Sequence, residues 1–162
     1  MIICVILAYR SEQYTKAVLQ SGQCYSVWND LSYIALAVVL ILFAGLRREF
    51  NDTWNYINGF RNSVGLAEFL INPDNLNIFK NPLFYIYQSV LRDITGNAQW
   101  LIFLSSMVTQ LCFLRFFKRY SHNFTLTIFI FFAIGTANVS LAAMKQVLAM
   151  AIATLAFPYL EK

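Results

Sequence analysis

Uncharged, apolar runs alternate with polar segments along this chain. The first run, Leu31 to Leu46, contains no charged side chain, and Ser32 is its only strongly polar one. As a helix it would rise about 24 Å, which is most of the thickness of a bilayer core. Later runs have the same character, so the pattern predicts an all-α integral membrane bundle with about four spanning helices. The predicted spans are residues 31–46, 100–117, 124–137 and 141–160.

The segments outside these spans are short or polar. Residues 1–9 are apolar but too short to cross a bilayer, so we expect an interfacial anchor or the stub of a helix there. Residues 10–30 then form a helical connector. Residues 47–97, which we call the insert, carry half of the charged residues. Pro82 is well placed to begin a helix inside the insert. We expect one membrane domain, with Gly135 at a bend between the last two spans.

Composition agrees with this interpretation. Apolar residues make up 59% of the chain and charged residues only 12%, whereas a typical soluble protein has about 25% charged residues. The net charge of +4 is not gathered into a basic cluster with interleaved aromatics, which argues against nucleic acid as a partner. The three cysteines are odd in number and widely spaced, which indicates neither a disulfide framework nor a zinc site.

Common catalytic and cofactor motifs do not occur in the sequence. It has no phosphate-binding glycine loop, no His-Glu-x-x-His and no Gly-x-Ser-x-Gly. We therefore expect no cofactor and no metal, and hydrolase, nucleotide-driven and zinc chemistries become less favoured.

The distribution of charge gives the chain a direction in the membrane. Three basic residues end the second span and begin the short loop after it: Arg115, Lys118 and Arg119. The positive-inside rule places this loop, residues 115–122, in the cytoplasm. Threading the spans outward from there puts the insert and Lys145 together on the outer face. The predicted location is therefore a multi-pass position in the inner or plasma membrane.

Charged residues at this outer face are candidates for chemistry, because charge at the mouth of a helix bundle is costly. Arg47 and Arg48 directly follow the first span, but interfacial snorkelling would also explain them. Asp52 has the chemistry of a general base, or it caps the next short helix. Lys145 falls inside an apolar helix with no acidic neighbour in sequence, and snorkelling is again the alternative.

Three short motifs occur in order along the chain. An apolar helix ends in Ala44-Gly45-Leu46-Arg47, and an Asp-x-x-x-Tyr pattern follows at Asp52 and Tyr56. A helix then opens on Asn81-Pro82 with aromatic residues, and the final spans lead into Lys145-Gln146-Val147-Leu148-Ala149. In this order and spacing the motifs resemble the EpsG family of Wzy-type bacterial polysaccharide polymerases. That family has Glu-Pro or a similar pair at the second helix and Arg-Gln-x-x-Ala at the last motif.

The resemblance implies a membrane glycosyltransferase-type polymerase that transfers lipid-pyrophosphate-linked glycan chains on the outer face. Such a reaction needs fixed positive charge near the pyrophosphate leaving group and a base for the acceptor hydroxyl. The implied catalytic residues are Arg47 and Lys145 for the charge and Asp52 for the base. The implied substrate-binding residues are Arg48, Trp54, Tyr56 and Gln146.

The implied partners are the lipid bilayer and a polyprenyl-pyrophosphate-linked oligosaccharide, in capsule or exopolysaccharide synthesis. Family members carry further spanning helices, so we expect this chain to be the N-terminal part of a longer protein, or to need a partner subunit for activity. Two other classes stay open. One is a noncatalytic membrane subunit whose Lys145 pairs with a partner's carboxylate, and the other is a fragment of a lipid-linked oligosaccharide transporter or flippase.

Overall fold

The structure, a computed structural model, describes residues 1–48, 50, 52–72, 74 and 81–160. All regular secondary structure in these residues is helical. The all-α prediction is therefore confirmed. In chain order the helices are α1 (Ile2–Gln20), α2 (Leu31–Gly45), α3 (Thr53–Arg61), α4 (Leu66–Ile71), α5 (Pro82–Ile94), α6 (Ala98–Tyr120), α7 (Phe124–Ala133), α8 (Thr136–Ala142), α9 (Met144–Thr154) and α10 (Phe157–Leu160), with a short 3-10 turn at Val27–Asn29 before α2.

Local side-chain signals set the beginnings of several helices. Asp30 accepts a hydrogen bond from the backbone N–H of Tyr33 at the start of α2. Asn97 caps α6 and Asn123 caps α7 in the same way. Pro82 is the first residue of α5, as the sequence predicts. The N–H of the first residue in a helix has no intrahelical partner, so proline loses no hydrogen bond at this position.

Helix α6 is the centre of the bundle, and α2 and α9 pack along it. Helix α2 runs antiparallel to α6. Asp30, just before α2, lies 3.6 Å from Lys118 (Oδ2 to Nζ) near the end of α6. The Gln99 side chain, near the start of α6, donates a 2.7 Å hydrogen bond to the carbonyl of Gly45 at the end of α2. We call the Lys118 end of the bundle the basic end and the Gly45 end the insert end.

The last helices of the chain run from the basic end of the bundle to the insert end and back. Helix α7 begins at the basic end, where the ring of Phe124 lies 4.7 Å from Lys118 Nζ. Helix α9 begins at the insert end, where Met144 packs in a cluster with Ala98 and Leu101. It then returns towards the basic end, and its residue Ala151 packs deeper along α6. Lys145 and the end of α2 therefore lie at the same end of the bundle.

The prediction of about four spanning helices is confirmed only in part. Among the described residues, only α6, at 23 residues, is by itself long and apolar enough to cross a membrane. Helices α7 and α8 qualify only as one bent pair, at an angle of 60°. The predicted spans 31–46 and 141–160 correspond to shorter apolar helices, Leu31–Gly45 and Met144–Leu160.

Backbone breaks explain why the later spans are short. Gly135, with φ of 81°, adopts the left-handed conformation that glycine tolerates, and the helix axis bends there. The sequence predicts a bend at Gly135, and the structure has it there; Asn138 and Ser140, predicted at the same bend, lie instead within helix α8. A second break at Ala143 separates α8 from α9, and a turn at residues 155–156 ends α9. Helix α2 is continuous, but it rises only about 22 Å.

Apolar side chains nevertheless cover much of the outer surface of the bundle. Helix α2 exposes Val38, Val39, Leu42 and Phe43, while its opposite face is buried against α1 and α6. A contiguous exposed apolar face of this kind suits lipid and not water.

The N-terminal residues form one helix, where the sequence suggests an anchor over 1–9 and a separate connector. Neither glycine nor proline occurs between Ile2 and Gln20, so nothing interrupts α1. Its buried residues Cys4 and Ala8 pack with α2 and α7. The polar Ser11 that follows is fully buried at the basic end.

A buried charge network joins α1, α2 and α6 at the basic end. Asp30 is 1% exposed and accepts hydrogen bonds from Ser11 Oγ at 2.6 Å and from Tyr25 OH at 2.9 Å. Lys118 Nζ donates to Ser11 Oγ at 2.6 Å and lies over the rings of Tyr25, Tyr33 and Phe124. Burial and the bond to Asp30 raise the pKa of Tyr25, which keeps its hydroxyl protonated as a donor.

We expect Asp30→Asn to lower the free energy of unfolding by about 3–5 kcal/mol, because Lys118 would remain buried without its counter-ion. Unfolding in detergent micelles, followed by circular dichroism, measures the change. The control is Lys16→Met, which removes an exposed ion pair with Glu12 and should cost below about 1 kcal/mol. Equal losses in the two variants would show that the network does not hold the helices together.

Glu12 gives the same end of the bundle a predicted pH dependence. Although burial raises its pKa, hydrogen bonds from Lys16 and from the backbone N–H and hydroxyl of Thr125 lower the pKa from 4.5 to about 2. A depressed carboxyl pKa contributes stability above the unfolded value, and that stability is lost as pH falls towards the folded value. Between pH 4.5 and about 2, the melting temperature should therefore fall less steeply in Glu12→Gln than in the unaltered chain. Identical slopes would contradict this assignment.

Candidate site at the insert end

Arg47 is held inward by oxygen atoms of three different segments. Its Nη1 donates to the carbonyl of Ala44 at 3.0 Å and to Ser106 Oγ of α6 at 3.4 Å, and its Nε donates to Thr53 Oγ1 of α3 at 3.3 Å. Burial lowers the pKa of Arg47, and the nearby Tyr56 opposes that shift. The side chain is half-buried, whereas Arg48 is exposed and suits an interfacial position.

The backbone beside Arg47 is fixed by close packing between α2 and α6. A Cβ atom on Gly45 would lie 2.7 Å from Phe103 Cδ2 and 3.3 Å from Phe103 Cα, so only glycine permits this approach. The Gln99 amide then donates to the carbonyls of Gly45 at 2.7 Å and Arg47 at 3.2 Å. The first bond satisfies a carbonyl group that the end of α2 leaves without an intrahelical partner, and the second holds the backbone of Arg47 just beyond the helix.

Lys145 lies against an aromatic surface formed by α3 and α5. Its Nζ is 4.7 Å from the ring centroid of Tyr85, 4.9 Å from that of Phe84 and 5.8 Å from that of Tyr56. It also donates to the Tyr85 hydroxyl at 3.4 Å. Within the described residues it forms no ion pair with a carboxylate. Aromatic faces attract a cation, but they leave its charge uncompensated.

Two consecutive serines of α6 contact side chains around the two cations. Ser106 contacts Arg47, and Ser105 lies 3.3 Å from the Tyr87 hydroxyl on α5. The Tyr87 ring in turn packs against Phe84, one of the rings below Lys145. The ring of Tyr56 also faces Lys145, with its centroid 5.8 Å from Nζ. Arg47, Tyr56 and Lys145 therefore all lie at the insert end of the bundle.

Two cavities adjoin Lys145. One, of about 430 Å³, is bounded by Asn81, Pro82 and the exposed Gln146. The other, of about 450 Å³, extends along α5, α6 and α9 and has a mostly apolar wall that includes Leu83, Val108, Leu148 and Ile152. Lys145 and Phe84 line both cavities, so the cation lies between a more polar space and an apolar one.

The other predicted site residues lie at the edge of this arrangement. Asp52 precedes α3 and is exposed, and its carboxylate accepts a 3.3 Å hydrogen bond from Asn55 Nδ2 without making a capping bond to the backbone of α3. Trp54 is 62% exposed on α3. No described contact joins Asp52, Trp54 or Arg48 to Lys145, so the structure groups them by location only.

Comparison with known proteins assigns the chain to a family. The sequence model of the EpsG family matches residues 30–162, which is most of the chain. The chain belongs to the EpsG family. Membership places it among membrane proteins of polysaccharide biosynthesis. Neither the curated proteins nor the solved structures contain a match to it.

The EpsG match covers all the motifs that meet at the insert end, and the structure gives each one a physical position. The glycine of Ala44-Gly45-Leu46-Arg47 allows the close approach of α2 and α6 that sets the arginine beside Ser106. Asp52 and Tyr56 are one helical turn apart at the start of α3, where the Tyr56 N–H bonds to the Asp52 carbonyl. Asn81, with φ of 55°, turns the chain into α5.

The sequence analysis did not single out several polar residues of the insert end, namely Gln99, Ser105, Ser106, Tyr85 and Tyr87. A signal for two of them was present, because Ser105 and Ser106 are followed one turn later by Thr109 and Gln110 inside an apolar span. All four are buried in α6. Buried polar side chains in a membrane helix commonly mark a functional path. The aromatic side chains around Lys145 carried no comparable signal, since aromatic residues occur throughout the insert.

Gly45→Ala should destabilise the bundle by about 1–3 kcal/mol, because the new methyl group forces α2 away from Phe103. Gly59→Ala in α3 is the matched control, since its Cβ would meet only Gln88 Nε2, at 3.9 Å. That control should be neutral or stabilising by up to about 1 kcal/mol. Chemical unfolding in detergent gives both values. A Gly45→Ala variant as stable as the control would show that α2 and α6 need not approach so closely.

Proposed function

We propose that this EpsG family member is part of a polysaccharide repeat-unit polymerase, and that its insert end binds a polyprenyl-pyrophosphate-linked glycan on the outer face of the membrane. The observation that supports this most strongly is the position of Lys145. It is a half-buried cation on three aromatic rings, next to an apolar cavity and on the same end as Arg47.

A pyrophosphate fits the charge of this site. Neither Arg47 nor Lys145 forms an ion pair in the described part of the chain. Cations in a partly desolvated site interact strongly with an anionic ligand, and a guanidinium group offers two parallel hydrogen bonds to phosphate oxygens. Arg48, exposed beside Arg47, adds a third positive charge near the proposed phosphate position.

A lipid-linked ligand fits the shape of the site. The apolar cavity beside Lys145 has a wall of Leu83, Val108, Leu148 and Ile152, which suits an isoprenoid chain. The more polar cavity, bounded by Asn81 and Gln146, suits the sugar attached to the same pyrophosphate. Lys145 lies between these two spaces, where the phosphate groups of such a ligand would be.

In the proposed reaction, an acceptor sugar hydroxyl attacks the anomeric carbon of the donor glycan. The bond between that carbon and the pyrophosphate oxygen breaks, and the polyprenyl pyrophosphate leaves with the electron pair. Arg47 and Lys145 stabilise the charge that develops on the leaving group. Asp52 accepts the hydroxyl proton, a role for which its exposed carboxylate is accessible. The exposed Trp54 and the ring of Tyr56 offer stacking faces for sugars.

The orientation is part of the same proposal. Arg115, Lys118 and Arg119 gather at the basic end, and the positive-inside rule assigns that end to the cytoplasm. The insert end then faces outward, where lipid-linked repeat units would be joined.

Binding of a polyprenyl pyrophosphate to the detergent-purified chain tests the proposal directly. Lys145→Met should weaken binding about tenfold to a hundredfold, because a charge-assisted contact is lost. Lys145→Arg should retain most of the affinity. Arg61→Met is the matched control, since Arg61 is an exposed cation at the far end of α3. Affinity that falls equally in the control and in Lys145→Met, or in neither, would exclude a specific pyrophosphate site at Lys145.

A noncatalytic subunit is the second candidate. It is favoured by the same Lys145, which has no carboxylate partner among the described residues, because a partner's carboxylate would also satisfy that charge. Crosslinking followed by purification would then recover a stoichiometric partner from the unaltered chain and lose it in Lys145→Met. Polymer length in cells separates the candidates: Asp52→Asn should shorten the polysaccharide if the polymerase proposal holds, and it should have no effect on a purely structural subunit.

A further inference from the structure

The last turns of α6 present basic residues on two different faces. Lys118 points into the buried network with Asp30 and Ser11. Arg115 and Arg119 are exposed and are four residues apart, so they share another face of the helix. Within the part of the chain that the structure describes, neither arginine forms an ion pair.

These two arginines line a cleft of about 390 Å³ between the end of α6 and the chain around α10. Its remaining wall is mainly apolar and aromatic, with Phe116, Leu155, Pro158 and Tyr159. No carboxylate belongs to the cleft wall among the described residues. Among the residues that the structure describes, the cleft therefore combines two cations that have no carboxylate partner with an apolar surface.

Packing between aromatic rings holds the side chains at the base of the cleft in position. The Phe116 ring packs against Phe157 of α10 at 5.1 Å and against Tyr120 at 4.9 Å between ring centroids. The Arg119 guanidinium carbon lies 5.6 Å from the Tyr120 ring. Tyrosine and arginine side chains commonly occupy the level of lipid headgroups at the end of a spanning helix.

We propose that this cleft binds an anionic phospholipid of the cytoplasmic leaflet, with its phosphate between Arg115 and Arg119 and an acyl chain along Phe116 and Leu155. Basic pockets between membrane helices on the cytoplasmic side bind anionic headgroups in this way. A soluble phosphate would satisfy the arginines alike, but it would leave the apolar wall uncovered. The cleft lies at the basic end, the opposite end of α6 from the Lys145 site. Its assignment to the cytoplasmic leaflet rests on the proposed orientation, whereas its binding chemistry does not depend on the proposed reaction.

Native mass spectrometry of the detergent-purified chain tests the proposal by titration with phosphatidylglycerol, phosphatidylethanolamine and inorganic phosphate in separate arms. The unaltered chain should bind phosphatidylglycerol in preference to the zwitterionic lipid. Arg115→Gln/Arg119→Gln should weaken that binding about thirtyfold. The control Arg10→Gln/Lys16→Gln removes the same net charge from exposed positions on α1 and should leave the binding unchanged.

A second variant distinguishes binding in the cleft from general electrostatic attraction of anionic lipid to basic residues. Leu155→Trp fills the apolar part of the cleft without altering charge, so it should also weaken phosphatidylglycerol binding. Leu155→Trp therefore tests the proposal even if the double arginine variant does not fold. Equal weakening in the α1 control, unchanged binding in Leu155→Trp, or competition by inorganic phosphate at similar concentrations would each overturn the proposal.

Discussion

The antiparallel contact between α2 and α6 determines the positions of most other parts of this protein. A different interaction fixes this contact at each end. At the basic end, a buried ion pair between Asp30 and Lys118 resists separation, because either charge left alone would be costly. At the insert end, the absence of a side chain on Gly45 lets the backbone approach Phe103. Two fixed points define the register, and that register brings Arg47 beside Ser106.

Helix α6 serves as a common support for two chemically distinct ends. Its start contributes Gln99 and the two serines to the insert end, and its last turns contribute Arg115, Lys118 and Arg119 to the basic end. Between them the buried face changes from polar to apolar packing against α7 and α9. A change in the tilt of this helix would therefore move side chains at both ends of the bundle.

Much of the architecture could be predicted from the sequence, because apolar runs and capping residues act locally. The class of fold and the start of α5 at Pro82 follow from such signals. The number of full spans could not be predicted, since the bend at Gly135 and the break at Ala143 divide runs whose composition is uniformly apolar. Asp30 and Ser11 also gave no signal, because their importance arises only when α1, α2 and α6 meet.

The candidate site shows the same division between local and long-range information. Arg47 and Lys145 were predictable as charges next to apolar runs, and threading the spans outward from the basic loop predicted that they lie at one end. The EpsG resemblance itself is confirmed over residues 30–162. The immediate surroundings of Arg47 and Lys145 depend on contacts between segments far apart in sequence. The Lys145–Tyr85 pair, for instance, is separated by 60 positions. Periodicity within a single segment carries no information about such a contact.

The break at Ala143 has an electrostatic consequence for the residue that follows it. Helix α9 begins at Met144, so Lys145 occupies its first turn, and Ala143 provides no side-chain cap there. The first turn of a helix carries partial positive charge, which disfavours a cation at that position. The lysine and the positive end of the helix dipole therefore repel each other. The anion that we propose as ligand, or a carboxylate from another subunit, would interact favourably with both.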